Sequence, residues 1–171
     1  EGRVARGEDP EPDPFDDGVD QDLAGQLAFR TTHTRGDLAI TSETRFLGSS
    51  SRKSALRFSQ EGEDAPKVDL SAYRVELRRG DAALAVGHVG FGGQRHLING
   101  FNSRGALLTW SPAERVDFSF SALNGNNVVG WENFLGLDEP DHRVASASIG
   151  VDAMERPGAL RLELTWLDAS I

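Results

Sequence analysis

The segment Leu160–Trp166 reads LRLELTW. Leu160, Leu162, Leu164 and Trp166 fall on one side of an extended chain, and Arg161, Glu163 and Thr165 on the other. Successive side chains of a strand point to opposite faces, so this period of two predicts a half-buried β-strand. The same alternation recurs upstream. Tyr73, Val75 and Leu77 alternate with Arg74, Glu76 and Arg78. Phe118, Phe120 and Ala122 alternate with Asp117, Ser119 and Ser121. Leu38, Ile40 and Phe46 share a side, and Thr41, Glu43 and Arg45 take the other. No apolar stripe of helical period is sustained long enough to compete.

Turn residues punctuate these runs. Thr34-Arg35-Gly36-Asp37, Arg79-Gly80-Asp81, Ser111-Pro112-Ala113-Glu114 and Met154–Gly158 each supply the Gly, Pro, Asp or Ser that a tight reversal needs. Long polar segments, 47–68, 92–103 and 124–142, separate the hairpins. The expectation is an all-β antiparallel hairpin meander of about eight long strands, with short turns at one end and long loops at the other. Segments 69–79, 81–91, 114–123, 143–153 and 159–168 each allow roughly ten residues. Soluble strands average about 5–6 residues, whereas strands that cross a membrane need about 9–11.

Composition narrows the class. The 171 residues contain no cysteine, which excludes a disulfide scaffold and Cys-based zinc sites. Residues 1–22 hold nine carboxylates against two arginines, seven of the nine net negative charges of the chain, and three of its seven prolines. That segment reads as an acidic, Pro-rich, disordered loop or tail, and residues 23–171 as the strands and loops of the sheet. Asp13, Asp16, Asp17, Asp20 and Asp22 are hard oxygen ligands. An EF-hand starting at Asp13 would nevertheless place Phe15 third and Ala24 twelfth, so calcium binding is left open. No basic footprint for nucleic acid is present.

Residues 73–125 carry a resemblance. The strand step Val86-Gly87-His88, the loop Gly92-Gly93-Gln94-Arg95 and the strand Gly105-Ala106-Leu107-Leu108-Thr109-Trp110 resemble the strand grammar of bacterial porin-like outer-membrane barrels, the broad group that includes the alginate-export barrels. The resemblance implies part of a transmembrane β-barrel of a Gram-negative outer membrane. Its implied role is passive transport of small polar or anionic solutes or saccharides. Outer-membrane lipid is the surrounding partner, and a homo-oligomer is compatible with it. Four short turns against three long loops, and a C-terminal Leu167-Asp168-Ala169-Ser170-Ile171 without a final aromatic residue, read as a fragment of a larger barrel.

In a barrel the polar face lines the lumen. The lumen or constriction candidates are Arg74, Glu76, Arg78, Arg95, His96, Arg104, Arg161 and Glu163, with loop 92–103 as the candidate inward fold. Trp110, beside a short turn, and Trp166, away from one, are candidates for opposite interfacial girdles. The alternative is a soluble β-sandwich or jelly-roll, a carbohydrate-binding or adhesion module. There Trp131 and Phe134 would stack on sugar, and the two Arg-Gly-Asp turns would serve adhesion. Catalytic, cofactor and metal sets are not indicated. Ser50–Lys53 matches S-x-x-K without its partner motifs, and Gly90-Phe91-Gly92 has Arg95 where a dinucleotide loop needs its last glycine. The four histidines lack zinc spacing, and Glu132, Asp138, Glu139 and Asp141 read as a solvated loop rather than an acid–base pair. The chain is therefore read as a non-enzyme.

Overall fold

The computed structural model describes residues 23–50, 66–91, 101–128, 130–154 and 160–170. The acidic segment 1–22, Arg95 and His96 lie outside the described residues. The eight strands are β1 (Ala24–Arg35), β2 (Leu38–Ser49), β3 (Val68–Arg79), β4 (Ala82–Phe91), β5 (Phe101–Ala113), β6 (Val116–Asn124), β7 (Arg143–Asp152) and β8 (Arg161–Ala169). They form one antiparallel sheet in chain order, β1 through β8, and the sheet is not closed. Among the described residues the only helical element is a 3₁₀ turn, Pro140–His142, before β7.

Two hairpins are tight because their turns hold Gly-Asp. Arg35 pairs with Leu38 and Arg79 with Ala82, leaving Gly36-Asp37 and Gly80-Asp81 as two-residue loops. Both glycines sit at positive φ, as the twist of such a hairpin requires. The two Arg-Gly-Asp sequences are thus hairpin turns. The β5–β6 turn lies further along than the sequence suggests, at Glu114-Arg115. β5 runs through Pro112 because the register is irregular between Trp110 and Ala113, and proline is tolerated where no ladder N–H is needed.

The register sorts the side chains into two faces. Rungs Leu77–Leu84–Leu108–Phe120–Ala147–Trp166 and Val75–Val86–Ala106–Ala122–Ala145 lie on one face. Below them lie Trp110, Phe118, Ile149 and Leu164, and the Trp110 and Phe118 rings stack at 5.7 Å. This apolar face is open: Leu84, Leu108, Trp110, Phe120, Leu162, Leu164 and Trp166 are between 40% and 72% exposed. Trp166 stands only one rung further from the β5–β6 turn than Trp110, so the two do not mark opposite ends of the sheet in this register.

The other face is polar and small. It carries Glu43, Arg45, Arg74, Glu76 and Arg78 at one side, and Asp117, Asp152, Arg161 and Glu163 at the other. Ala85, Ser119, Ser121, Ser146 and Ser148 lie between them. Ala85, Val89 and Leu123 form a small buried cluster there, joined by Phe101 and Leu107.

Candidate functional site

The polar face is the first candidate surface. Its charges are arranged in local pairs. Arg74 Nη2 donates to Glu76 Oε2 at 2.7 Å, and Arg78 Nη2 to Glu76 Oε1 at 3.1 Å. Arg45 donates from Nε and Nη2 to Glu43 Oε1. Across the sheet, Arg161 Nη2 reaches both oxygens of Asp117 at 2.8 and 2.7 Å, with Asp152 and Glu163 each at 3.9 Å from the same guanidinium. The floor between is threaded by hydroxyl pairs. Ser119 meets Ser148 and Ser121 meets Ser146, both at 2.6 Å. The arrangement offers a solute charged flanks of both signs around a neutral hydroxyl floor. Of the sequence candidates, Arg74, Glu76 and Arg78 form one flank, and Arg161 and Glu163 belong to the other.

Arg104 is placed differently. It alternates with Gly105 and shares a face with Ala106, Leu108 and Trp110, so the register puts it at the loop end of the apolar face. It is fully buried there. The cover is the β6–β7 loop, whose residues 130–137 fold back over this end of the sheet. Arg104 Nη2 donates to Gly130 O at 2.6 Å and Nη1 to Glu132 O at 3.2 Å. Its guanidinium also lies over the Tyr73 ring, 5.6 Å from the centroid. Four neighbours repeat the device. Tyr73 Oη donates to Phe134 O at 2.6 Å, and Asn124 Nδ2 to Gly136 O at 2.9 Å. Arg143 Nη2 donates to Leu137 O, and His88 Nε2 lies 3.1 Å from Val128 O. Five side chains from β3, β4, β5, β6 and β7 thus engage backbone carbonyls of one loop. The bonds to Gly130 O and Gly136 O are buried and that to Leu137 O is exposed; carbonyls withdrawn from water demand partners, and this row supplies them.

Local sequence explains how the loop comes so close. Gly136 sits at φ +76, and a Cβ there would meet Arg104 Cβ at 2.6 Å. Gly130 N–H bonds Leu70 O at 2.8 Å, and Asn133 closes an internal turn with Gly136. Gly87, at φ +103, is the last β4 residue of the β3–β4 ladder, and a Cβ there would lie 2.7 Å from the Tyr73 ring. The regular pairing of β3 with β4 covers only Arg74–Arg79. Beyond it the His88 imidazole takes over: Tyr73 N–H donates to Nδ1 at 3.3 Å. Nδ1 is therefore the acceptor, and Nε2 carries the proton given to Val128 O. A cleft of about 260 Å³ opens at this split, lined by Glu43, Arg45, Tyr73, Arg74, His88 and Asn102.

The loop residues Trp131 and Phe134 lie on the apolar side of the sheet. Phe134 stacks on Tyr73 at 4.2 Å with the planes 9° apart, so one of its ring faces is occupied. Trp131 lies 6.0 Å from Phe46, which in turn meets Phe29 edge-on. Among the described residues no three His, Asp or Glu side chains gather as a metal-ligand set. No protein family, curated protein or solved structure matches the chain.

Sequence reasoning missed Tyr73, His88, Asn124 and Arg143 as a set. The signal was the parity of Arg104 and Asn124, polar residues in phase with the apolar rungs Ala106–Trp110 and Phe118–Ala122. Which segment satisfied them was a tertiary question.

Proposed function

We propose that the chain is a wall segment of an outer-membrane β-barrel that admits small polar or anionic solutes or saccharides along its polar face. One observation carries this reading: the sheet leaves its large apolar face exposed while its charges and hydroxyls gather on the other. Water does not tolerate a continuous apolar face of this kind, whereas a lipid surround does. Strands of 9 to 13 residues agree with a membrane crossing. Serine and alanine on the polar face keep the floor low, and the flanking Arg–Glu and Arg–Asp pairs set a field across it. In this reading further strands complete the barrel, since eight strands alone close around a filled interior.

The soluble sandwich needs a second sheet over the apolar face, and the described residues form one sheet. The test is fractionation of the native protein, followed by gels with and without boiling. Recovery in the outer membrane with a heat-dependent mobility shift is the expected result, with conductance in planar bilayers to follow. Recovery as a detergent-free soluble monomer refutes the proposal.

A further inference from the structure

The geometry points to the β6–β7 loop as the upper part of the lipid-facing surface, with Trp131 seated at the membrane–water interface; this rests on the barrel reading above. Three observations converge on it. First, the bare apolar face is too short. On β7 it runs from Val151 to Ala145, about 20 Å along the strand at ~3.4 Å per residue. At the strand tilt usual in membrane barrels, ~35–45°, that is about 14–17 Å of height against an apolar band of ~25 Å.

Second, the next rung is polar. Tyr73, Arg104, Asn124 and Arg143 stand where lipid would have to meet donors, a guanidinium among them. A bare arginine on the lipid face of a barrel is costly, most of all near mid-depth. The loop removes that difficulty by turning its carbonyls inward onto these donors.

Third, the loop exposes large apolar side chains. Trp131, Phe134 and Leu135 are 59%, 45% and 50% exposed, and Trp131 continues the aromatic patch of Phe46 and Phe29. The loop thereby adds a rung. The apolar height on β7 becomes about 27 Å along the strand, or ~19–22 Å upright, which closes roughly half of the shortfall. Glu132, Asp138 and Glu139 are exposed on the same loop. Carboxylates beside Trp131 fit the headgroup level rather than the hydrocarbon centre, and tryptophan with one wet edge is favoured at that level.

The same placement says what the loop does not do. Residues 130–137, held on the apolar side, do not constrict a passage on the polar side; the start of the loop does reach that side, where Asn126 O accepts from Ser103 Oγ.

The experiment uses the full chain with Trp110→Phe and Trp166→Phe, which leaves Trp131 as the one tryptophan of the sequence. It is reconstituted into phosphatidylcholine vesicles brominated either near the headgroup or near the acyl-chain end. The expected result is loss of Trp131 emission, strong with shallow bromines and weaker with deep ones. Adding Arg104→Met releases the loop and abolishes the quenching. A heat-modifiable, membrane-inserted protein whose Trp131 is unquenched by either lipid overturns this inference and leaves the barrel reading standing. So does quenching that disappears as the protein-to-lipid ratio rises, because Trp131 would then face a second copy. Recovery of the native protein as a detergent-free soluble monomer overturns both.

Discussion

Replacing Arg104 by methionine separates the loop from the sheet while leaving the strands intact. Methionine keeps most of the apolar stem and removes the charge and the donors. Two charge-assisted bonds are lost, to Gly130 O at 2.6 Å and Glu132 O at 3.2 Å. Such bonds contribute about 1.5–3 kcal/mol each, the longer one at the low end. The contact with the Tyr73 ring adds about 0.5–1 kcal/mol. The gross loss is therefore about 4–5 kcal/mol. Two effects reduce it. Methionine removes the desolvation penalty of a fully buried guanidinium, and a released loop can return its carbonyls to water. The net expectation is about 2–3 kcal/mol, confined to the loop. At 1.4 kcal/mol per decade this lowers the exchange protection of the Gly130 and Gly136 amides by about 30- to 150-fold. Hydrogen exchange read by mass spectrometry measures it directly. Amides of the central strands, those of Ser119–Leu123 for example, keep their protection. Unchanged loop protection would refute the claim that Arg104 holds the loop. An equal loss in the strands would show that loop and sheet open as one unit.

Gly87→Ala forces a Cβ against the Tyr73 ring at a residue with φ +103, so it should destabilise by about 2–4 kcal/mol, read as a lower denaturation midpoint in detergent. Ser121→Ala and Ser146→Ala each strand a buried hydroxyl and cost about 1–2 kcal/mol singly; the double variant costs less than the sum, which a double-mutant cycle reports. Asp117→Asn removes the strongest partner of Arg161 on a face open to water, so stability changes by less than about 1 kcal/mol. Under the proposed function the same change leaves Arg161 less compensated, and the reversal potential in planar bilayers moves toward anion preference.

The strands and turns were legible because their causes are local. Alternation of Leu, Phe and Trp with Arg, Glu and Ser fixes which side chains share a face. Gly36-Asp37 and Gly80-Asp81 fix two reversals to the residue, since few other pairs accept the positive φ required. The β5–β6 turn was misplaced for an equally physical reason. Pro112 ends a regular ladder, but it fits an irregular one, and here three residue steps of β5, Trp110 to Ala113, lie opposite two of β6, Phe118 to Val116.

The charged candidates divide along the same line. Arg74, Glu76, Arg78, Arg161 and Glu163 take the face their parity assigns. Arg104 also obeys its parity, which is that of Ala106 and Trp110, yet a charge in that phase has no local explanation. Its partners are carbonyls 26 and 28 residues away along the chain.

The sequence by itself determined an antiparallel meander with one apolar and one polar face, because both follow from a period of two and from turn stereochemistry. Only the tertiary structure decided that residues 130–137 of the long β6–β7 loop lie on the apolar side. That choice depends on a row of donors assembled from five strands, and on two glycines, Gly87 and Gly136, whose missing side chains leave room for Tyr73 and Arg104. Donors spread over 71 positions of the chain, from Tyr73 to Arg143, become one row only when the register sets them side by side.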